Sequence, residues 1–244
     1  MTSPLTALVV VPTYNERDNL PLLVDGLMKH PNVRVLVVDD QSPDGTGEIA
    51  DELARTHQGR ITVLHRTKNR GLGRSYIEGF KLAIQEPVDV VCQMDADLSH
   101  DPAQLTRLID GAARGDVVIG ARYIPGGQIV NWPKRRQLLS WWANLYIRAI
   151  TRLRAHDCTS GYRCWRRDAL AALPLDRVVS DGYSFLVEML YLASQRGYRI
   201  LEVPITFVER RLGESKLSGA VIMESAITPW RVVATKTSLG RDAR

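Results

Sequence analysis

Residues 88–101 read VDVVCQMDADLSHD, and the organisation of the whole chain follows from this stretch. An apolar run of the kind that forms a buried strand ends at two carboxylates, Asp95 and Asp97, which one residue separates. In an extended segment, residues two positions apart project to the same side, so both carboxylates can point at one hard cation. Mg²⁺ or Mn²⁺, with phosphate oxygens and water completing its shell, is the cation that such a pair suits at nucleotide sites.

A structural alternative is that Asp97 and Ser99 cap a helix that begins near Pro102. However, Asp101 directly precedes Pro102 and is itself a good helix cap. Capping therefore leaves the earlier aspartates unexplained, and we favour metal binding by Asp95 and Asp97.

The first half of the chain alternates between continuous apolar runs and segments with helical periodicity. Runs such as TALVVV and VRVLVV are typical of interior parallel strands. This alternation predicts an α/β fold with a mostly parallel central sheet and helices on both faces. The predicted strands are residues 6–11, 33–38, 61–65, 89–94 and 116–119, and the predicted helices are 16–29, 48–57, 74–85 and 102–114.

Polar residues follow four of these predicted strands, and ligands of open α/β sheets bind beyond the carboxyl ends of the strands. A binding site is therefore expected at that edge. Asp39 and Asp40 end the second strand and Asp44 follows in a turn, so they become candidates for hydrogen bonding a base or a ribose. The four polar ends are residues 12–16, 39–41, 66–69 and 95–99.

Two common phosphate-binding motifs are missing from the sequence. Gly71 and Gly73 begin like a dinucleotide fingerprint, but Tyr76 stands where the third glycine is required. No G-x-x-x-x-G-K-[ST] loop occurs. Ordinary dinucleotide-dependent dehydrogenases and P-loop enzymes are therefore disfavoured.

Composition predicts one globular domain that meets an anionic partner. The 244 residues carry a net charge of +5, and only six of the 32 basic residues are lysines, which leaves 26 arginines suited to phosphate. The three cysteines lack C-x-x-C spacing, so we expect reduced core residues and neither a zinc site nor a disulfide. No signal peptide and no apolar stretch of about 20 residues is present, which predicts a protein that is soluble or bound at a surface.

The second half of the chain is less regular. Residues 121–136 (ARYIPGGQIVNWPKRR) are too irregular for a long element and are predicted to form a mobile active-site loop. A helix is predicted at 137–152, and 209–218 (ERRLGESKLS) reads as a polar loop. The segments 158–165, 183–195, 200–203 and 205–208 supply the remaining helix and short strands, and the tail from 219 has apolar residues at roughly helical intervals.

Seven blocks in order resemble the family 2 glycosyltransferases, and more closely the polyprenol-phosphate and dolichol-phosphate mannose synthases. The resemblance extends to about residue 218. It implies a GT-A catalytic domain at 1–218, with 219–244 as a C-terminal amphipathic tail without a transmembrane helix. The blocks are VVPTYNE (10–16), VDDQSPDG (38–45), NRGLG (69–73), MDADLSH (94–100), GARY (120–123), TSGYR (159–163) and GESKL (213–217).

The resemblance also implies a reaction: inverting transfer of mannose from GDP-mannose to a polyprenyl monophosphate, with Mg²⁺ or Mn²⁺ as cofactor. Four residues would be catalytic: Asp97, Arg122, Arg136 and Lys216. Pro12, Tyr14, Glu16, Asp39, Asp40 and Asp44 would bind guanosine; Asp95, Asp97 and Ser99 the metal and diphosphate; Arg210, Ser215 and Lys216 the donor phosphates; and Arg122, Arg136 and Ser140 the acceptor phosphate.

Such a reaction needs no strong general base. A phosphate monoester carries a charge of about −1.5 to −2 at pH 7, so the acceptor is already nucleophilic. The enzyme must bring two anions together and stabilise the leaving diphosphate. Arg122 and Arg136 suit the first task, and a metal with Arg210 and Lys216 suits the second.

A lipid acceptor also fits the segment 137–154, where tryptophans and aliphatic residues stand among arginines as in a helix at a membrane interface. A core helix with a basic outer face fits the periodicity equally well. We expect a cytoplasmic protein, peripheral on the cytoplasmic face of a membrane, with a membrane-anchor protein as a further candidate partner and no nucleic acid.

Two other functions remain open at this point. The sugar could be glucose or another hexose on the same lipid phosphate. The chain could also be a silent nucleotide-sugar-binding subunit, although it retains both aspartates and the lysine loop. Processive polysaccharide synthases are less expected because no Q-x-x-R-W stretch occurs.

Overall fold

A computed structural model describes residues 4–67, 70–209 and 226–234. Its first half alternates strands and helices as the sequence predicts. Every residue of the first strand, Ala7–Thr13, is buried. Such a strand needs no polar face, so a continuous apolar run can form it. The elements are β1 (Ala7–Thr13), α1 (Leu20–Met28), β2 (Val33–Asp39), α2 (Thr46–Thr56), β3 (Ile61–His65), α3 (Leu72–Ala83), β4 (Val90–Gln93), α4 (Leu105–Gly111) and β5 (Val117–Ala121).

The second half completes the sheet and adds a two-stranded one. A seven-stranded sheet has the order β3-β2-β1-β4-β7-β5-β8, and β6 pairs with β9. All pairs are parallel except those of β7, which runs antiparallel to both β4 and β5. The elements are β6 (Gln128–Val130), α5 (Lys134–Thr151), β7 (Arg163–Arg166), α6 (Arg167–Ala171), α7 (Gly182–Gln195), β8 (Ile200–Pro204) and β9 (Thr206–Val208).

Helices cover both faces of the large sheet, as predicted. Side chains of a strand alternate between faces, so Leu8 and Val10 of β1 join one core cluster, whereas Val9 and Val11 join the other. Aromatic residues of α3 and α7 complete the first cluster, and leucines of α1 and α4 complete the second. Both cores are closed by helices, which is why the strands read as continuous apolar runs.

Several predicted boundaries differ from the structure, among them the helix predicted at 102–114, which is a 3₁₀ turn at Pro102–Gln104 followed by α4 at Leu105–Gly111. Helix α1 begins at Leu20 instead of 16, because residues 16–19 form a turn whose Glu16 carbonyl accepts the Leu20 amide at 2.9 Å. The prediction of an irregular loop over 121–136 is wrong in part. Strand β6 lies inside it and α5 already begins at Lys134, because β9 is available as a pairing partner for β6.

The small β6–β9 sheet ties three loops together. The Val208 amide donates to the carbonyl of Ser99 at 3.3 Å, and the Glu209 amide donates to the carbonyl of Val130 at 3.1 Å. A single antiparallel bridge joins His100 to Phe207. The segment after the Asp95–Asp97 pair is thereby fixed to the one that precedes α5.

A further helix at residues 226–234 contacts the rest of the domain. The Tyr146 hydroxyl on α5 donates to the carbonyl of Ala226 at 2.7 Å and accepts from the Trp230 indole at 2.9 Å. Thr228 is buried and donates to Ser184 of α7 at 2.8 Å. Within the part of the chain that the structure describes, no helix has the length and apolarity to cross a membrane.

Helix α3 approaches β1 closely because Gly79 faces the sheet. A Cβ at this position would lie 2.5 Å from Val10 Cγ1 and 3.0 Å from Val38 Cγ2. We expect Gly79→Ala to lower the free energy of unfolding by about 1–2 kcal/mol despite its better helix propensity, since overpacking a core costs more. Urea denaturation measures the change.

Gly47→Ala is the matched control, because Gly47 also lies in a helix but its added Cβ would meet no atom closer than 3.4 Å. Its free energy of unfolding should be unchanged or increased. An equal loss for both variants would contradict the close packing of α3 on β1.

Candidate active site

A cavity of about 470 Å³ opens at the carboxyl ends of β1 and β4, at the sheet edge that the sequence predicts. Residues from both halves of the chain line it, so the strand ends and the later loops meet at one site. The predicted site residues in its lining are Pro12, Tyr14, Glu16, Asp40, Asp95, Asp97, Ser99, Arg122 and Arg136.

Asp95 contacts Tyr76 of α3 and His100, which lies five residues further along its own segment. The Tyr76 hydroxyl donates to Asp95 Oδ1 at 2.9 Å, and the Asp95 amide donates to His100 Nδ1 at 3.3 Å. Gly161 lets the loop before β7 approach, since a Cβ there would lie 3.2 Å from Asp95 Oδ2. The orientation of this carboxylate is therefore set by the fold.

Burial sets the protonation of the two rings beside Asp95. Burial, and then the Asp95 carboxylate, raise the pKa of Tyr76 well above its ordinary value, so Tyr76 remains a proton donor at pH 7. Burial lowers the pKa of His100 and outweighs the nearby aspartates. Because its Nδ1 accepts a hydrogen bond, the neutral His100 ring carries its proton on Nε2.

Asp97 makes local contacts with Ser99. Its Oδ1 accepts the Ser99 amide at 3.1 Å and the Ser99 hydroxyl at 2.6 Å. The following 3₁₀ turn at Pro102–Gln104 is instead capped by Asp101, whose Oδ1 accepts the Ala103 amide at 2.9 Å. The alternative that Asp97 and Ser99 cap that turn is therefore wrong, and the prediction of Asp101 as the cap is confirmed.

The donor set fits a hard divalent cation that also binds a substrate phosphate. No group of three or more His, Cys, Asp or Glu side chains is arranged for a metal within the described ranges. Two carboxylates suffice for Mg²⁺ or Mn²⁺ when phosphate oxygens and water complete the shell. Asp95 and Asp97 in the cavity wall match that requirement, and Ser99 as a third ligand stays a prediction.

Not all predicted nucleotide-binding aspartates face the cavity. Asp39 lies outside its lining and accepts hydrogen bonds from Thr13 at 3.0 Å and Ser42 at 2.6 Å. Asp44 also lies outside and accepts the amide and hydroxyl of Thr46 at the start of α2. Both order the turn after β2, and their contact with a nucleotide stays a prediction.

Asp40 does line the cavity, but both of its oxygens are engaged by protein groups. Arg66 donates to Oδ1 at 2.6 Å and the Gly71 amide donates to Oδ2 at 2.8 Å. Arg70, which the sequence did not single out, donates to the Tyr14 hydroxyl at 3.2 Å and to the Gln41 carbonyl at 3.1 Å. Arg70 thus spans the ends of β1 and β2 beside the cavity.

Arg122 is held in the cavity wall by a buried carboxylate, Asp157. Its Nε and Nη2 donate to the two oxygens of Asp157 at 2.7 Å each, and its amide donates to Oδ2 at 2.9 Å. Thr159 accepts from Nη2 at 2.8 Å. Burial alone would raise the pKa of Asp157, but Arg122, with help from Arg163, holds that pKa below its ordinary value.

Arg136 lies at the start of α5 and pairs with Glu209. Its guanidinium carbon is 4.2 Å from the ring centroid of Trp132, a cation–π contact. Ser140, the third predicted acceptor residue, lies one turn further along α5 and is not in the cavity lining. Its contact with an acceptor stays a prediction, and the predicted donor-phosphate residues Arg210, Ser215 and Lys216 lie outside the described residues.

The sequence did not identify several of these residues. Asp157 lies two positions before the TSGYR block, but no local pattern indicates that it pairs with Arg122. Trp132 stands in the segment that is predicted to be an irregular loop, and Tyr76 marks only the place of a missing glycine. His100 ends the MDADLSH block, and Glu209 begins the predicted polar loop at 209–218. Their roles depend on contacts between distant segments, which spacing does not reveal.

The model of glycosyl transferase family 2 matches residues 8–173. The chain belongs to this family. A polyprenol monophosphomannose synthase of Mycolicibacterium smegmatis is 49% identical over 221 residues, covering 89% of this chain and 83% of that protein. An undecaprenyl-phosphate mannosyltransferase of Micrococcus luteus is 47% identical over 233 residues, covering 94% of this chain and 96% of that protein.

Solved structures agree on the fold of this family 2 glycosyltransferase. A glucosyl-3-phosphoglycerate synthase of Mycobacterium tuberculosis, in complex with Mn²⁺, uridine diphosphate and phosphoglyceric acid, gives a TM-score of 0.66 at 19% identity, over 96% of this chain and 78% of that one. A mannosyltransferase of Pyrobaculum calidifontis, in complex with GDP-Man and Mn²⁺, gives a TM-score of 0.59 at 19% identity, over 99% of this chain and 76% of that one. The predicted GT-A fold is confirmed.

The buried Arg122–Asp157 pair in this glycosyltransferase makes a stability prediction. We expect Asp157→Asn to lower the free energy of unfolding by about 3–5 kcal/mol at pH 7, since the buried guanidinium loses its countercharge. Because the folded-state pKa of Asp157 is lowered, its stabilisation is fully present above an unfolded pKa near 3.9 and is lost as pH falls through the folded value.

Urea denaturation at a series of pH values measures this loss. The difference from wild type should be constant near neutral pH and shrink below about pH 4. Asp110→Asn, an exposed position on α4, should change the free energy of unfolding by less than about 0.5 kcal/mol. A pH-independent loss at Asp157→Asn would contradict the charge pairing.

Proposed function

We propose that this family 2 glycosyltransferase transfers mannose from GDP-mannose to a polyprenyl monophosphate with inversion at the anomeric carbon. The names of the two relatives near half identity support mannosyl transfer to a lipid phosphate. GDP-Man in one neighbouring structure supports the donor. The observation that carries the proposal is that the wall of one cavity brings together the carboxylates of Asp95 and Asp97 and the guanidinium groups of Arg122 and Arg136.

This charge layout suits a reaction between two anions. The arginines bind the acceptor phosphate and offset its repulsion from the donor diphosphate. Asp157 keeps the Arg122 guanidinium fixed through two hydrogen bonds to the side chain, so little conformational entropy is lost when a phosphate binds. Arg136 exchanges its contact with Glu209 for the phosphate.

The bond changes need no protein base. An oxygen of the phosphate dianion attacks the anomeric carbon, the bond from that carbon to the β-phosphate oxygen breaks, and GDP leaves with the electron pair. No proton has to be removed from the dianionic acceptor. Asp97 therefore serves as a ligand, and a role as auxiliary base is not required.

Asp95 and Asp97 would hold a divalent cation, which would supply positive charge beside the leaving diphosphate. Tyr76 donates to Asp95 and Ser99 donates to Asp97, so both carboxylates are oriented before the substrate arrives. On the donor side, Arg210, Ser215 and Lys216 bind the phosphates in this proposal. Pro12, Tyr14, Glu16 and Asp40 in the cavity wall, with Asp39 and Asp44 behind, form the guanosine end.

Peripheral attachment to a membrane extends the proposal to the lipid acceptor. Helix α5 exposes a cluster of large apolar side chains. The 226–234 helix, which hydrogen bonds to Tyr146 of α5, exposes further apolar side chains beside that cluster. Basic residues at the start and end of α5 suit anionic lipid headgroups. The exposed apolar residues are Leu138, Leu139, Trp141, Trp142, Leu145, Ile227 and Trp230.

The transfer reaction is tested with labelled GDP-mannose, a polyprenyl phosphate in detergent and Mg²⁺ or Mn²⁺. We expect label in the lipid product, and a loss of about 100-fold or more in Asp97→Ala, because the charge that stabilises the leaving group is gone. Asp110→Ala on the outer surface of α4 is the matched control and should keep full activity.

A panel of donors separates the alternatives. Transfer from a glucose nucleotide in preference to GDP-mannose would favour the other hexosyltransferase. Nucleotide binding without any transfer would favour the silent subunit. Full activity in Asp97→Ala would contradict the metal-binding role.

Vesicle binding tests the membrane contact. We expect the double substitution Trp141→Ser and Trp142→Ser to weaken binding to vesicles of mixed zwitterionic and anionic phospholipids by about tenfold or more, since it removes on the order of 2 kcal/mol of apolar burial. Flotation on a density gradient measures it. Leu22→Ser, an equally exposed site on α1 away from α5, should bind as wild type; an equal loss would contradict the assigned face.

A further inference from the structure

We infer that Trp132 is a positioning residue of the acceptor site, holding Arg122 and Arg136 beside each other so that one phosphate meets both. This inference rests on the proposed function, because it assigns the two arginines to the acceptor phosphate. All three residues line the same cavity. No sequence block singles out Trp132, which lies between the segments that carry the two arginines.

One indole ring contacts both guanidinium groups. The guanidinium carbon of Arg136 lies 4.2 Å from the Trp132 ring centroid, and that of Arg122 lies 5.8 Å from it. Both distances are within the range of about 6 Å in which a cation is attracted to an aromatic face. The rings of Tyr123 and Phe207 also lie near Arg122, each 5.3 Å from its guanidinium carbon, but the Trp132 indole is the ring that meets both guanidinium groups.

An aromatic ring suits this place better than a carboxylate. Each arginine already has one carboxylate partner, Asp157 or Glu209. A further acid between them would neutralise the charge that an incoming phosphate needs. The indole offsets the cost of partial burial and leaves the net charge of the guanidinium groups unchanged.

The partly buried side chain of Arg136 has the Trp132 ring beside its guanidinium group. Its Nε is buried and has no hydrogen-bond acceptor among the described residues. Besides its ion pair with Glu209, its guanidinium lies over the face of Trp132, 4.2 Å from the ring centroid. A leucine, smaller and without an aromatic face, would give the buried N–H no electrostatic partner.

The fold holds Trp132 from two sides. Its ring meets the ring of Phe207 on β9 edge-on, with centroids 5.2 Å apart and planes at 73°. Its carbonyl accepts the side-chain amide of Gln137, in the first turns of α5, at 2.9 Å. The indole is therefore placed by β9 and by the start of α5 before any ligand binds.

The same contacts relate the acceptor arginines to the aspartate loop. Phe207 meets the His100 ring at 5.7 Å, and His100 accepts the Asp95 amide. A phosphate bound at Arg122 and Arg136 is thus positioned through Trp132 against the segment that carries Asp95. Loss of the indole should affect the acceptor first and the donor little.

The test compares Trp132→Phe, which keeps an aromatic face, with Trp132→Leu, which keeps only apolar bulk. Acceptor and donor KM are measured with a polyprenyl phosphate in detergent. We expect Trp132→Leu to raise the acceptor KM by about tenfold and Trp132→Phe by about threefold or less, with the donor KM within about twofold of wild type. Equal effects of Phe and Leu, or parallel changes in both KM values, would overturn the inference.

A double-mutant cycle distinguishes positioning from general packing. If Trp132 acts through Arg136, the acceptor KM of Trp132→Leu with Arg136→Ala should equal that of Arg136→Ala alone. Arg114→Ala, at an exposed position at the end of α4, is the matched arginine control and should add independently to Trp132→Leu. Additive effects of Trp132→Leu and Arg136→Ala would overturn the inference.

Binding of farnesyl phosphate, measured by calorimetry, separates this inference from the proposed function. If wild type transfers no sugar yet binds farnesyl phosphate, and Trp132→Leu binds it about tenfold more weakly, the proposed function fails and the inference stands. If wild type and Trp132→Leu bind it equally, or if wild type does not bind it, the inference is overturned. Thermal denaturation checks that each variant is folded.

Discussion

The antiparallel strand β7 is the constraint on which the site depends. It lies between β4 and β5 but runs in the opposite direction, so it begins at the edge where they end. Its first residue, Arg163, pairs with Gln93 near the end of β4 and with Ile119 of β5. The loop before β7 therefore enters the sheet at the cavity, where Asp157 meets Arg122 and Gly161 meets Asp95.

A fully buried arginine holds that loop in place. Arg163 donates to the carbonyls of Ser160, Leu186 and Cys158 at 2.9, 2.7 and 2.8 Å. Burial lowers its pKa to about 10, so it remains charged at neutral pH. Its positive charge also helps to keep Asp157 ionised. The wall of the cavity around Arg122 thus depends on two buried charges of opposite sign, Asp157 and Arg163, in one short segment.

Much of the site and fold could be predicted because its signals are local. Apolar runs identify β1, β2 and β4, and two aspartates at the end of β4 identify the edge of the sheet that binds ligands. In contrast, β7 has four residues, two of them arginines, and no local pattern states which strands it joins. Likewise, Asp157 is one acid among many until the fold brings Arg122 to it, and β6 is a strand only because β9 pairs with it.

The arrangement of charge explains why the cavity can bring two anions together. Arg122 and Arg136 each have a carboxylate partner already, so neither guanidinium is left uncompensated before a ligand binds. The two carboxylate partners differ in solvent exposure. Asp157 is fully buried behind Arg122, whereas Glu209 is partly exposed beside Arg136. A phosphate can therefore displace Glu209 at little cost but cannot displace Asp157. In the acceptor site that we propose, Arg122 would be the fixed part and Arg136 the exchangeable part, with the Trp132 indole keeping the second beside the first.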